Sequence, residues 1–498
     1  MKLITEGDIN PYYAQTLCMI FFPGAKFGAD EEVGPDTPVV TIRVAEIEGA
    51  ARGYASIRIG DKYSESTRKF DYRPEMTPER VRKIAAGAAM LAVGEKFFGY
   101  RPSWGILTGV RPSKVATELL VSGLTPGRAR DALRRQYLLT PKKAALAVEV
   151  ALREQRLIGT PDPRDCSVYI SIPFCPSRCA YCSFVSYTSP RLLSLIPEYL
   201  TRLCGDIDRT FARIKHLGLR VKTVYIGGGT PTILEPHQLE ILLSAISRGV
   251  DVSTLEEYTL ESGRPDTITA EKLAVAAEYG VNRISVNPQS LDPAVLDRIG
   301  RSHSIDQFYR AFSIARESGI PYINTDLIAG LPEDNFLKFS NTLEKVIALA
   351  PDNITVHTFC VKKAADILRE GREVYSLRGG EAGTCVDYSQ IKAQEEGYFP
   401  YYMYRQKNTV GNFENVGFAR EGTEGRYNVY MMEEVHSIFA VGAGAVTKLV
   451  HIRPKNPGDT KIIRIAPPKY PYEYLRTDQS AEEEARIEAF YANESLDG

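Results

Sequence analysis

Three cysteines stand close together in the segment SVYISIPFCPSRCAYCSFVSYT, residues 167–188. They are Cys175, Cys179 and Cys182, spaced C-x-x-x-C-x-x-C. Sulfur at this density holds a metal or runs thiol redox chemistry. A structural zinc could recruit Cys166 as fourth ligand, but eight, three and two residues would then separate the four. Zinc folds instead use paired knuckles. A thioredoxin-like dithiol would use Cys179-Ala180-Tyr181-Cys182 alone and leave Cys175 idle. A [4Fe–4S] cluster normally takes four thiolates, so three leave one iron open to a small molecule. The other cysteines, Cys18, Cys166, Cys204, Cys360 and Cys385, are scattered and read as small buried apolar side chains.

The elements that must position this cluster begin at residue 167. Strand candidates are SVYISI (167–172), TVYIGG (223–228), EYTLES (257–262), RISVN (283–287), YINTDLI (322–328) and NITVHTF (353–359). Helical segments such as HQLEILLSAISRG, AEKLAVAAEYG and SIDQFYRAFSIARESG lie between them. Continuous apolar strands with helical crossovers predict a parallel sheet, and six such units favour a partial β/α barrel over an open doubly wound sheet. Ligands in such folds gather at the carboxyl ends of the strands. Cys175, Gly227-Gly228-Gly229, Glu261, Gln289 and Asp326 all fall at or near those ends.

Residues 1–162 read as a separate α+β unit. VVTIRVAEIEG and GYASIRIG are strand candidates, and three helix starts share a Thr-Pro signature at Thr77-Pro78, Thr125-Pro126 and Thr140-Pro141. Threonine caps, and proline loses nothing at the first helical position. The turn in WGILTGVRPSKV either exposes Arg111 or buries it in an ion pair. GTPDPRD, residues 159–165, reads as a linker. The barrel is expected over 163–370 and a C-terminal α+β, substrate-covering extension over 371–498. The final residues, SAEEEARIEAFYANESLDG, predict an amphipathic helix with a frayed end.

Composition narrows the function class. The 498 residues exceed what one core usually serves. A formal net charge of −1 argues against a strong polyanion-binding field, and no basic stripe with interleaved aromatics suggests a nucleic-acid partner. No apolar run is long enough to span a bilayer, and MKLITEGDINPYY lacks a signal-peptide core, so a cytoplasmic location and no membrane contact are expected.

The cysteine motif, with an aromatic before its last member, resembles the signature of radical S-adenosylmethionine (SAM) enzymes. YISIPFCPSRCAYCSF, IGGGTPT, NPQSLD, IGRSHS and NTDLIAGLPED, in that order, resemble the oxygen-independent coproporphyrinogen III oxidase (dehydrogenase) family. WGILTGVRPSKV, LESGRPDTIT, TVHTF and YYMYRQKNTVGNFENVGF are similar to its long branch, often called the second form. The resemblance covers essentially the whole chain. It implies a [4Fe–4S] cluster on Cys175, Cys179 and Cys182, with SAM chelated to the open iron and cleaved to a 5′-deoxyadenosyl radical by one electron. An electron donor protein is implied with it.

The same resemblance implies roles for further residues. Tyr169 would pack near the cluster and SAM. Gly227-Gly228-Gly229-Thr230 would meet the methionyl amino group through backbone carbonyls, where a side chain would block approach. Glu261, Gln289 and Asp326 would supply oxygen partners for ribose or amino groups, and Arg301 would pair with the SAM carboxylate. The implied substrate, coproporphyrinogen III, is a tetrapyrrole carrying four propionates. Two of these would be oxidatively decarboxylated to vinyls. Arg264, Arg405 and Lys407 are candidate cations near the mouth for this tetra-anionic substrate.

Two positions depart from the best-known decarboxylating members. Ser171 stands where they carry histidine, and Phe184 where they carry a fourth cysteine. Phe184 is shared with haem-chaperone relatives that bind haem and pass it to acceptor proteins. The alternative functions are therefore a haem-binding chaperone and a radical SAM enzyme acting on another substrate.

Overall fold

The computed structural model describes residues 1–27, 34–74, 76–109, 111–182, 186–360, 380–406, 409–452 and 461–493. Lys407 and Phe184 lie outside these described residues.

The N-terminal part builds a four-stranded sheet from β1 (Lys2–Glu6), β2 (Val39–Ile47), β3 (Ala50–Ile59) and β4 (Lys62–Asp71), in that spatial order. The Thr-Pro pairs start helices Pro78–Phe98, Pro126–Gln136 and Pro141–Ile158 as the sequence predicts. Thr77 and Thr125 accept from the amides of Arg80 and Arg128. Thr140 does not cap with its side chain; its hydroxyl donates to Ser103 O instead. Gly53 is needed where β3 meets helix Pro78–Phe98, since a Cβ there would stand 2.2 Å from Ala85 O.

Eleven strands form the second sheet. Six of them, β5 (Asp165–Ile172), β6 (Arg220–Gly228), β7 (Glu257–Leu260), β8 (Arg283–Ser285), β9 (Tyr322–Ala329) and β10 (Asn353–Thr358), run parallel in succession as the barrel strands. Each agrees with a predicted strand to within a few residues. Helices Ile196–His216, Pro236–Gly249, Ala270–Glu278, Ile305–Glu317 and Phe336–Ala348 cross between them. No pairing joins β5 to β10 among the described residues, so this is a partial (β/α)6 barrel within a mixed α/β chain.

The remaining strands are β11 (Phe399–Arg405), β12 (Glu414–Ala419), β13 (Ser437–Val441), β14 (Thr447–Val450) and β15 (Ile462–Ile465). β12 pairs antiparallel with β10, and β11 with β12. At the other edge β13 lies parallel to β5, followed by antiparallel β14 and β15. The chain after residue 380 thus lengthens the barrel sheet at both edges. The last helix, Ser480–Asn493, buries Ile487, Phe490 and Tyr491.

Side-chain alternation divides the barrel. On β5, Val168, Ile170 and Ile172 are fully buried, while Tyr169 points into the interior. Ser167, on the same side as Tyr169 but nearer the strand start, bonds Thr223 and His436 at 2.7 Å each. That polar knot ties β5, β6 and the residue before β13 together near the strand starts.

The first 158 residues grip the barrel through a buried ion network. Lys143 Nζ donates to Glu414 Oε1 at 2.6 Å and to Asp387 Oδ1 at 2.9 Å. Trp104, the only tryptophan, donates to Glu414 Oε2 at 2.7 Å, and Gln390 to Oε1 at 2.8 Å. Arg111 is in an ion pair, 2.7 Å from Glu434. No described helix is long and apolar enough to cross a membrane.

Candidate functional site

A cavity of about 730 Å3 opens at the carboxyl ends of the parallel strands, within the size range of small-molecule sites. Cys175, Cys179, Cys182, Tyr169, Gly228, Gly229, Thr230, Glu261, Gln289, Arg301, Asp326 and Arg264 all line it. Residues 157 apart in the chain (Tyr169 to Asp326) therefore meet on one wall. Gly227 does not reach the lining; it lies beneath, where a Cβ would stand 2.7 Å from Glu261 Oε2.

The cysteine loop is clamped at its base. Cys175 N donates to Tyr187 O at 3.1 Å, and Tyr187 N to Pro173 O at 2.9 Å. The glycine turn is stitched to the same loop: Gly229 N donates to Ile172 O and Thr230 N to Phe174 O, each at 2.8 Å. Cys175 Sγ lies 3.2 Å from Thr230 Oγ1. Burial pushes the Cys175 thiol up to about 11, opposed by the Thr230 hydroxyl and reinforced by Cys182 and Cys179. A metal must therefore displace its proton on binding.

The glycines are needed for space and conformation. Gly228 has φ +112°, and a Cβ at Gly229 would stand 2.4 Å from Phe174 O and 2.9 Å from Cys175 Sγ. Gly229→Ala should push the turn off the cysteine loop, giving a protein that retains its thermal midpoint to within a few degrees but loses most cluster iron on reconstitution. Iron-to-protein ratio and thermal melts check this. Full iron loading would refute the steric reading.

Polar groups surround the turn. Arg301 is buried, its Nη1 donating to Asn287 O at 2.9 Å and its Nε and Nη2 reaching Tyr181 Oη at 3.3 and 3.2 Å. Asn287 Nδ2 donates to Asp326 Oδ2 at 3.0 Å, and His357 Nε2 lies 3.6 Å from the same oxygen. Gln289 holds φ +65°, a strained conformation for a side-chain-bearing residue, and its buried Oε1 has no hydrogen-bond partner among the described residues. Such strain and an orphaned acceptor collect where a ligand completes the site.

Glu261 is half-buried, and its open side faces the cavity. Burial, with the Asp326 charge adding, pushes its carboxyl up to about 8, against a hydrogen bond from Tyr225. A carboxyl raised on folding weakens the fold as pH rises from its ordinary range to the folded value, because the unfolded chain ionises first. Glu261→Gln should therefore gain stability over the wild type by no more than a few kcal/mol, little near pH 4.5 and most at pH 8 and above. Thermal melts of cofactor-free protein from pH 5 to 9 check the sign.

The two remaining substrate candidates separate. Arg264 lines the cavity but is committed: it donates to Ser177 Oγ, Asp266 and Ser302, and its Nη1 lies 3.9 Å from Cys179 Sγ. Arg405 is not brought to the cavity. Alternation on β11 sends Tyr402 and Tyr404 inward and Arg405 to the opposite face, against the Trp104 ring with its guanidinium donating to Leu107 O and Asn412 O. That placement corrects the expectation that Arg405 meets substrate.

The structure adds residues not singled out in the sequence. Tyr225 and Tyr427 stack with Tyr169, Tyr225 and Tyr427 having ring centroids 4.6 Å apart. His357 Nδ1 and Tyr404 Oη lie 3.2 Å apart on the same wall. Tyr225 and His357 sit on predicted strands, so alternation could have found them. Tyr427 comes from helix Arg426–Glu433, which carries no strand-end signal.

The residues fit a cluster with SAM. The donor set is thiolate, a glycine cradle that any Cβ would fill adjoins it, and the orphaned Gln289 Oε1 looks into the same space. No three His, Cys, Asp or Glu side chains among the described residues surround a single-ion position. A cluster makes no such demand, since each thiolate binds a different iron.

The partial barrel with its cysteine loop and glycine turn defines a radical SAM domain, and the Radical SAM superfamily profile matches residues 169–346. The chain is 36% identical over 424 residues to the oxygen-independent coproporphyrinogen-III oxidase-like protein HemZ of Bacillus subtilis, covering 83% of each chain. It is 31% identical over 331 residues to the heme chaperone HemW of the same species, covering 64% of this chain and 81% of HemW. The solved structure of coproporphyrinogen III oxidase (HemN) from Escherichia coli overlaps 60% of this chain and 67% of HemN, at TM-score 0.47 and 23% identity. The chain belongs to the radical SAM, oxygen-independent coproporphyrinogen-III oxidase-like family.

Proposed function

We propose that this chain is a radical SAM oxidoreductase that removes a β-hydrogen and carbon dioxide from each of two propionates of coproporphyrinogen III, leaving vinyl groups, as a step of haem biosynthesis. The observation that carries the reading is the convergence of three cysteines, a glycine turn and the Glu261, Gln289, Arg301 and Asp326 side chains on one cavity. The kinship to HemZ supports the substrate class.

When bound, a [4Fe–4S] cluster and SAM supply one-electron cleavage of a sulfonium and a carbon-centred hydrogen abstractor. The protein's own residues bind and shield. Cys175, Cys179 and Cys182 hold the cluster. The Gly228-Gly229 backbone admits close approach of a ligand. Arg301 turns its guanidinium, already fixed by Asn287 O, toward a carboxylate. Glu261 and Asp326 accept hydrogen bonds from amino or hydroxyl groups. The stacked Tyr169, Tyr225 and Tyr427 rings keep water from that wall. A separate electron donor protein supplies the electron that starts each hydrogen abstraction, and an electron acceptor takes the one that the substrate radical releases as carbon dioxide leaves.

The test is anaerobic turnover of reconstituted protein with SAM, reductant and coproporphyrinogen III. Two equivalents of carbon dioxide and protoporphyrinogen are expected per substrate. Absence of both, with intact cluster and measurable SAM binding, overturns the reading.

A second reading, a haem-binding protein that passes haem to acceptors, is favoured by the likeness to the heme chaperone HemW. Ser171 departs from the histidine of decarboxylating members. Its Oγ donates to Ala443 O at 3.0 Å and sits 3.0 Å from where a Gly228 Cβ would be. Stoichiometric haem binding and transfer to an apo-cytochrome, without SAM-dependent turnover, would establish it.

A further inference from the structure

The cavity has a second charged end, built by the strands beyond β5. Their register sets Ile438 of β13 opposite Lys448 of β14, and Lys448 opposite Arg464 of β15. Directly opposed residues project from the same face, and all three line the cavity. Two cations therefore stand side by side toward one space, an arrangement that repels unless an anion lies between them.

Among the described residues, the anion beside them is shared too widely to do this. Glu434 lies 3.7 Å from Lys448 Nζ and 3.6 Å from Arg464 Nη2. Its tighter partner is Arg111, at 2.7 Å. Three cations thus share one carboxylate, and that carboxylate is not part of the cavity lining. Adjacent Glu433 is no substitute, since burial raises its pKa. Lys448 donates to Met431 O at 2.7 Å, and its side chain is 13% exposed, whereas that of Arg464 is 60% exposed. Around them the wall is apolar: Met431, Met432 and Val446. Burial, with Arg111 and Arg464 adding to it, lowers the Lys448 pKa against the pull of Glu434. The acids among the described lining residues, Glu261 and Asp326, stand at the ends of β7 and β9 instead.

We propose that Lys448 and Arg464 form a carboxylate subsite that anchors an acidic arm of the substrate, with its apolar body against Met431, Met432 and the tyrosine wall. Identification of that arm as a propionate rests on the tetrapyrrole reading above; the subsite itself rests on the strand register and the cation surplus. The arm held here is one that is not decarboxylated, because it lies away from the cysteine loop.

Equilibrium binding to the reconstituted protein tests this without turnover. Coproporphyrin III and its uncharged tetramethyl ester are titrated into wild type, Arg464→Ala, the double variant Lys448→Ala/Arg464→Ala, and the conservative Arg464→Lys. Loss of about tenfold in coproporphyrin affinity is expected for Arg464→Ala and about a hundredfold for the double variant, as for charge-assisted hydrogen bonds. Ester binding should be unchanged throughout, and Arg464→Lys should recover most of the loss. A purely structural ion network would weaken acid and ester alike. Arg464 is exposed enough for its replacement to leave the fold intact, and cluster absorbance checks this. Equal coproporphyrin affinity in wild type and variants overturns the subsite while leaving the tetrapyrrole reading standing. If wild type binds neither porphyrin, the tetrapyrrole reading falls, and pyrenebutyrate decides the subsite. Binding about tenfold weaker in the double variant supports it; equal or no binding overturns it.

Discussion

Alanine at Cys175, Cys179 or Cys182 is expected to strip iron and sulfide from the reconstituted protein to background and to remove turnover entirely. On the proposed assignment each thiolate would be one of three anchors, with none to spare. Cys166 is the sulfur nearest in sequence, yet it starts β5 while Cys175 follows its end. Six residues from Cys166 to Ile172, at about 3.3 Å each, place it roughly 20 Å away at the amino-terminal end of the barrel strands. Cys166 is also fully buried, and burial raises its thiol pKa, so it stays a neutral apolar group. Cys166→Ala should keep full iron content. Iron and sulfide analysis with the brown sulfur-to-iron absorbance reads both results. Cluster loss in the Cys166 variant, or a full cluster in any of the other three, would break the ligand assignment.

Lys143→Met should be the most destabilising substitution outside the core. Lys143 and Glu414 are both almost completely buried, with side chains 2% and 0% exposed. Burial alone would lower the Lys143 pKa, but Glu414 and Asp387 outweigh it and hold the ammonium charged. Removing the lysine leaves a buried carboxylate with hydrogen bonds from Trp104 and Gln390 and the Arg405 charge nearby, at a cost of about 3–5 kcal/mol. Glu414→Gln on that background removes the stranded charge and should restore more than half. Thermal midpoints across the double-mutant cycle measure this. Equal midpoints for Lys143→Met and wild type would show that the pair is not coupled. The consequence reaches the site, because Asn415, the next residue, lines the cavity and its Oδ1 accepts from Thr358 N at 2.8 Å.

Much of the site was legible in the linear chain. Strands buried on both faces carry runs of β-branched and aromatic residues that stand out locally, so all six parallel strands were found. Functional residues gather at strand ends by the geometry of the fold, which located Cys175, Gly228, Glu261, Gln289 and Asp326 together. Short edge strands such as β1 and β15 carry less pattern, since one partner and a few residues suffice to hold them. β12 reads ENVGFA, and its Gly417 is dictated by a neighbour distant in sequence: a Cβ there would meet the Tyr402 ring at 1.9 Å. No local rule predicts that. Arg405 was misread because its face depends on the bulge between Pro400 and Tyr402 that sets the register of β11.

The sequence by itself determined the chemistry: cysteine spacing, the glycine turn and the strand-end polar residues are local patterns, fixed by the bonding needs of sulfur and of close backbone approach. Tertiary structure decided what surrounds that chemistry. The edge onto which each C-terminal strand is added, the stacking of Tyr427 on Tyr225, and the pairing of Lys448 with Arg464 depend on register between segments far apart in the chain. Register is set by packing and by cross-strand hydrogen bonds, which the order of residues along one strand does not encode.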